Sequence, residues 1–581
     1  MKFNRITLEQ GIFILALLLA ILIRAINLNS AALSEYEAEQ AVEALQISEG
    51  EDAALTAGPA YPLLTGAVFY IFSANNLFAR FWPAVAGISL LGLALILRSK
   101  AGMLAALVFS LGLALDPGLV AVSRLAGGPM LAAGFGLLAL GFILIKRPAH
   151  TGICAALAAL SGPAALHGLS HILLASGIGF YLVKRGSLIP FSVDNETPTA
   201  SSGYGIGLVS GGAAVLVAGT LFFKVPEGLG AAAGIIPVYI AGWFDPPTVP
   251  AARLLAALLV YQPLGIVLAA AASVHAWRRK STFMQWVSIW AISALAMVLV
   301  YPARQESDLI WVLVPVWLLA AWEIASHIRI DDIDQLPAAG QATLILILFA
   351  LGWLNLAGLG TLGGDSQSFR LRWMIIGGML FLAGITFLLV GLGWSYKTAR
   401  RGLVWGLLVA LGVYTLSNLG GIVFERSNGE QDLWNPAPVI RQADELLATL
   451  NTLSVLNTGM QNSLDVVVTS SEASLRWALR DWSRTKFLTG AVPGEDPTII
   501  INTEGQAAPG LAVSYRGQDF AWWVSPAWGG ALPEDWARWV VFRTSPEQVK
   551  HIILWARVDA FPGGVANQPA GEGESTLEDS P

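Results

Sequence analysis

Charge is what this chain has least of. Only 13% of its 581 residues are Asp, Glu, Lys or Arg, against 55% hydrophobic, and the mean hydropathy is +0.62. A soluble protein of this length needs more charge to cover its surface, so most of the chain must be solvated by lipid. Cysteine is nearly missing too. Cys154 is the single one and lies in an apolar run, which excludes an intrachain disulfide and leaves it a packing role. No stretch is basic enough to hold nucleic acid. No small-residue cleavage site follows Gly11–Ile23, and Arg24 interrupts the run, so a retained span is expected rather than a removed signal. The many glycines form no phosphate loop and read as sites of close helix packing. No convincing internal repeat is present, and most charge sits at span ends, which argues against a transporter.

What is present is a recurrence of apolar segments of roughly 18–20 residues, the length that crosses about 30 Å of hydrocarbon. Basic clusters separate them: Lys2 and Arg5, Arg98 and Lys100, Lys146 and Arg147, Lys184 and Arg185, Arg278-Arg279-Lys280, Arg400 and Arg401. All fall on one side if about 13 spans are drawn. Positive loops stay cytoplasmic, so the N-terminus is expected inside and everything beyond about residue 421 outside. Spans five and six, near 151–166 and 169–183, are expected to meet at an outer junction carrying His167 and His171. Asp116, Ser123 and Arg124 are expected in one outer turn, and span eight to run unbroken from about 251 to 273. Tyr61–Phe72 reads as a helix lying at the outer interface, and Gly186–Ser202 as a polar cytoplasmic loop.

The expected architecture is thus a polytopic α-helical membrane protein of the plasma membrane over 1–421, followed by a small extracytoplasmic α/β domain over 422–561. A disordered Gly/Pro/Glu/Ser tail over 562–581 ends it. In the α/β part, Arg441–Leu450 and Ser474–Trp482 have helical spacing. Asp465–Thr469 and Thr498–Ile501 read as strands, and Val540–Phe542 and Ile552–Trp555 as further strands or short helices. Its tryptophans suit a core, an interfacial belt or a sugar-stacking platform.

Between Arg24 and Arg80 there is no Lys or Arg, yet seven acids occur: Glu35, Glu37, Glu39, Glu43, Glu49, Glu51 and Asp52. Acids just outside a first span suit a catalytic patch, in which one carboxylate is a general base and its neighbour holds a metal or orients the nucleophile. A solvated acidic loop is the plainer reading. If a helix capped by Ser34 begins there, Glu35 and Glu39 share a face while Glu37 points elsewhere. Arg80, Arg124 and Arg304 are expected at the outer face, where a guanidinium fork suits a lipid phosphate or simple snorkelling to headgroups. His167 and His171, four apart, suit a metal or helix-end hydrogen bonds.

Ala32-Leu33-Ser34-Glu35-Tyr36-Glu37-Ala38-Glu39-Gln40-Ala41 resembles the first-loop signature of the C-class integral-membrane glycosyltransferases, the group of protein O-mannosyltransferases and lipid A aminoarabinose transferases. Two further stretches agree. Gly58-Pro59-Ala60-Tyr61-Pro62-Leu63-Leu64, continuing to Phe78-Ala79-Arg80-Phe81-Trp82-Pro83-Ala84, is similar to the family's interface helix and start of span two. Ser123-Arg124-Leu125-Ala126-Gly127-Gly128-Pro129-Met130 is similar to the turn before span four. Tyr301, Arg304 and Leu313-Val314-Pro315 resemble a later outer loop. The resemblance covers about residues 8–325 and implies transfer of a sugar from a polyprenyl-phosphate carrier to an extracytoplasmic glycan, lipid or protein acceptor. It implies Glu35 or Glu37 as the catalytic acid, with Tyr61, Arg124, Tyr301 and Arg304 binding substrate, and leaves a divalent metal cofactor open. One departure stands out. Aligned on Glu37-Ala38, Tyr36 takes the place of the family's catalytic Asp, and a phenol with pKa near 10 is a poor base at neutral pH. The alternative is therefore a catalytically inactive relative, a structural or assembly partner in cell-envelope glycan export.

Overall fold

The computed structural model describes residues 7–51, 53–190, 200–328, 335–361, 366–425, 431–435, 438–488, 497–504, 513–528 and 530–562. The expected disordered tail lies outside the described residues from 563 onward, as does 191–199 of the expected polar loop. The chain forms two compact units. One comprises Met1–Ala31, Glu43–Asn435 and Ala527–Pro546; the other comprises Ala32–Val42, Pro436–Pro526 and Glu547–Pro581.

The first unit is helical. Among the described residues, eight helices are long and apolar enough to cross a membrane, or up to ten if two bent pairs each make one span. Three further apolar helices, Pro129–Leu144, Pro148–Leu160 and Tyr204–Gly219, fall where spans are expected but are shorter than a usual crossing. The protein is a multi-pass membrane protein. Both bends have the same covalent cause. Met103–Leu115 passes to Pro117–Ser123 with a 53° bend, and Ala251–Tyr261 to Pro263–Arg278 with a 93° bend. At each, one polar residue precedes a proline, Asp116-Pro117 and Gln262-Pro263. Proline lacks the N–H that would continue the first helix but suits the first position of a new one. Span eight is therefore not continuous: it turns sharply at Gln262.

His167 and His171 also differ from expectation. The chain turns at Ser161-Gly162, where Gly162 has φ +110°, and Pro163 starts a helix running to Lys184. Both histidines lie buried inside it rather than at a junction. Nor does one turn hold Asp116 and Arg124: the Pro117–Ser123 helix separates them.

Glycines in this unit seat indole rings. A methyl group at Gly168 or Gly136 would strike Trp311, one at Gly112 would strike Trp317, and one at Gly179 would strike Trp286. Close packing is real, but its partner is often an aromatic ring rather than a bare backbone.

The second unit carries a six-stranded mixed sheet. Its strands are β1 (Val439–Ile440), β2 (Val466–Val468), β3 (Thr485–Phe487), β4 (Ile499–Thr503), β5 (Tyr515–Pro526) and β6 (Glu547–Arg557). Their spatial order is β1-β5-β6-β4-β2-β3. β2 runs parallel to β3 and β4, whereas β1/β5, β5/β6 and β4/β6 are antiparallel. The Ala443–Thr458 helix ends at Gly459 in the left-handed conformation, which a glycine adopts without steric cost. Its Leu446, Leu450 and Leu453 pack with Val466, Val468, Ile499, Ile501 and Ile552 in one core. Trp477, Trp482, Trp522 and Trp523 are all buried in this unit, so packing is one role each of them fills, and Trp523 also lines a cavity. β5 is the longest strand and carries no simple alternation, because charged and polar residues occupy its first half.

Candidate functional site

Glu35 opens the helix Glu35–Glu49. Its carboxylate is met by three N–H donors of the second unit. Oε1 accepts from the Ala473 amide at 2.6 Å and the Ser474 amide at 3.2 Å, and Oε2 accepts from the Trp523 indole at 3.0 Å. A carboxylate at the first amides of the Ala473–Ala478 helix is where a backbone leaves donors unsatisfied. Glu37 is buried, and its Oε2 accepts from the Ser34 amide at 3.0 Å and the Ser34 hydroxyl at 3.1 Å. Ser34 Oγ in turn accepts from the Glu37 amide, so the two close a reciprocal capping box.

A polar cavity of about 670 Å³ lies within the second unit, and Glu35 lines it together with Glu472, Glu504, Trp523, Lys550 and His551. Glu472 was not singled out in the sequence. Burial, then the negative charge of Glu35 and a hydrogen bond to it, push the Glu472 carboxyl above its ordinary range. Burial followed by the Glu35 charge moves Glu39 the same way. Glu504 is drawn down instead, because the His551 amide and ring both hydrogen-bond it. The cavity therefore brings three carboxyl groups, an indole, a lysine and an imidazole together. No sequence spacing foretells this, since Glu35 and Trp523 are 488 positions apart.

The other expected residues lie in the helical unit. Tyr61 is fully buried and donates its hydroxyl to the Ala79 carbonyl at 2.7 Å, fastening the Ala60–Phe72 helix to the short turn before Arg80. Arg124 Nη1 donates to the carbonyls of Ile23, Arg24 and Ile26 at 3.0, 3.3 and 2.6 Å, capping the Leu8–Ala25 helix. Its Nε and Nη2 make no hydrogen bond among the described residues. Arg80 Nη1 donates to the carbonyls of Leu28 and Ala31 just beyond. Arg304 donates from Nε to Val249 at 2.8 Å and from Nη1 to Leu299 and Tyr301, capping the Thr282–Val300 helix.

Tyr301 joins an aromatic group. Its ring stacks on Tyr239 at 5.0 Å and meets His167 and Trp243 at 5.2 Å each, while its hydroxyl donates to the Tyr239 carbonyl. Among the described residues, all four ring nitrogens of His167 and His171 are buried without a hydrogen-bond partner. The structure thus brings Tyr301 and Arg304 together, and it groups Arg80 with Arg124 at the end of the first helix. No group of three or more His, Cys, Asp or Glu among the described residues is placed to hold a metal ion.

Asp116 is the polar centre that sequence reasoning placed in a loop. It is fully buried and accepts from the Leu119 amide at 2.7 Å, the Gln262 side chain at 3.1 Å and the Trp317 indole at 2.6 Å. The available signal was an acid directly before Pro117 inside an apolar run.

No protein-family model matches this chain, and no curated protein matches it. Solved structures do. The crystal structure of ArnT from Cupriavidus metallidurans bound to undecaprenyl phosphate is similar with a TM-score of 0.52 at 13% identity, covering 94% of this chain and 98% of that one. The apo state of the same protein gives a TM-score of 0.53 with the same identity and coverage. At this identity the likeness establishes the fold. It is the ArnT-like fold, with a sheet-bearing C-terminal part.

Proposed function

We propose that this protein is a membrane glycosyltransferase that takes a sugar from a polyprenyl-phosphate carrier and passes it to an extracytoplasmic acceptor. The observation that carries the reading is the likeness over nearly both whole chains to a fold that, in ArnT, holds undecaprenyl phosphate. In this reading a guanidinium at a helix end, Arg124 or Arg304, neutralises the phosphate leaving group. Each already anchors a helix end through part of its guanidinium and retains N–H groups for a ligand, so the cation is preplaced before charge develops. Glu35 or Glu37 accepts the acceptor proton, and Tyr61 and Tyr301 hold the substrate-binding elements in place.

A second reading is favoured by two observations, Tyr36 at the expected Asp and a Glu35 carboxylate already met by three donors. It makes the chain an inactive relative that assembles with cell-envelope glycan export. One experiment separates them. Transfer of radiolabelled sugar from polyprenyl-phosphate donors is measured in reconstituted vesicles for wild type, Glu35→Gln, Glu37→Gln, Tyr36→Asp and Arg124→Gln. An active enzyme transfers as wild type and loses about 100-fold or more in Arg124→Gln and in one Gln variant, the range for removing a charge-stabilising donor or a general base. Glu35→Gln weakens charge-assisted bonds as well, so rates are normalised to folded protein. Transfer by Tyr36→Asp alone identifies a degenerate enzyme, and silence from all five moves the assignment to the assembly partner.

A further inference from the structure

An apolar cavity of about 660 Å³ lies in the helical unit, away from every residue assigned above. Its walls come from the helices Gln335–Thr361, Ser366–Gly393 and Tyr396–Gly420, with Leu532, Trp536 and Val540 from the 527–546 segment. Nothing inside it suits a sugar or a nucleotide. The Tyr414 hydroxyl is already donated to the Val260 carbonyl at 2.7 Å, and the remaining lining is aliphatic or aromatic. Only hydrocarbon is a favourable occupant of such a space.

Two observations indicate where that hydrocarbon comes from and what it carries. The first is exposure. The Gln367–Gly393 and Gln335–Thr361 spans have 6% and 17% of their most apolar stretches buried, among the lowest values of any span. Their neighbour is therefore bulk lipid. The second is charge. Beyond the Leu356 end of the cavity, the Arg372 guanidinium lies on Gly358 so closely that a methyl there would strike it, and the Arg538 backbone packs on Gly360. Arg372 makes no hydrogen bond or ion pair among the described residues. Trp373 and Trp536, which line the same end, stack at 5.9 Å and a 40° tilt. Indoles beside arginines mark the depth where tails give way to headgroups.

We propose that this cavity is a binding site for an anionic glycerophospholipid of the surrounding bilayer. Its acyl chain fills the apolar space past Gly352, and its phosphate is held at Arg372 and Arg538. Bulk lipid is chosen over the polyprenyl carrier because the cavity opens among the spans that lipid itself solvates. A guanidinium recognises phosphate by charge-assisted bonds, so an anionic headgroup outcompetes a zwitterionic one of equal chain length.

The test uses the full-length protein in detergent and native mass spectrometry, with phosphatidylglycerol and phosphatidylcholine of identical acyl chains. Wild type is expected to retain one phosphatidylglycerol in preference to phosphatidylcholine. The double variant Arg372→Gln/Arg538→Gln should lose that preference by about tenfold, the worth of one charge-assisted bond. Gly352→Phe should plug the tail space, since a side chain there begins with only the Met379 sulfur at 3.8 Å; occupancy by both lipids then falls. Equal retention of the two lipids by wild type, or unchanged phosphatidylglycerol binding in the arginine variant, overturns the proposal. So does retention of added polyprenyl phosphate in place of either phospholipid. If Gly352→Phe fails to fold, the arginine variant, which leaves the tail space unaltered, decides alone; its Arg538 is exposed and its Arg372 half-buried. The readout needs no sugar transfer, so the site stands or falls separately from the proposed activity.

Discussion

Two carboxyl groups facing one cavity leave a signature in the pH dependence of stability. The folded Glu472 has its pKa raised above the ordinary 4.5 by burial, by Glu35 and by Glu39, with Lys550 opposing. A raised carboxyl contributes stability that is whole below its unfolded pKa and lost as pH rises through the folded value. Glu472→Gln is neutral at every pH. It should therefore unfold at a higher temperature than wild type above neutrality, with the gain closing below pH 4.5. Thermal unfolding of both proteins across that range checks it, and a pH-independent difference would sink the explanation. The sequence made Glu35 conspicuous, because seven acids without a compensating cation are unusual after a span. It did not reveal Glu472 or the amides of Ala473 and Ser474, which meet Glu35 from 438 and 439 positions away. Partners so distant leave no local pattern.

At the level of elements, the apolar runs were legible because a span is dictated by length and composition alone. The breaks within them were not read, although Pro117 and Pro263 advertise them. Asp116 joins both breaks: it caps the Pro117–Ser123 helix through Leu119 and accepts from Gln262 at the 93° turn. Asp116→Ala orphans two buried side-chain donors and an N-cap, a loss on the order of 3 kcal/mol or more. Asp116→Asn keeps one acceptor oxygen and should lose about half of that. Unfolding in mixed detergent micelles measures both, and equal losses would show that the hydrogen bonds to the side chain contribute little. The C-terminal strands β2 and β4 were legible from runs of branched residues, whereas Ile552–Trp555 of β6 read equally as strand or short helix. β5 was not legible, since Arg516, Gln518 and Asp519 make its first half exposed and polar and leave the apolar residues to the second half.

Across the whole molecule, the ArnT-like fold was legible from short motifs in the first half of the chain, while the membership of the two units was not. The division between them falls inside a single helix, between Val42 and Glu43. Amides of 38–42 are therefore expected to exchange hydrogen with the rates of the sheet, and those of 44–49 with the rates of the helical unit. Hydrogen-exchange mass spectrometry with overlapping peptides resolves this, and one uniform rate along Glu35–Glu49 would refute it. The separation also sets a timetable. Ribosomes add about 5–20 residues per second, so the 488 positions from Glu35 to Trp523 correspond to roughly 25–100 s of synthesis. Through that interval the acids of residues 32–42 are already made and have no sheet to join. A newborn chain thus passes through a stage in which this acidic segment is open to proteases and chaperones, and the last strands to emerge end its exposure.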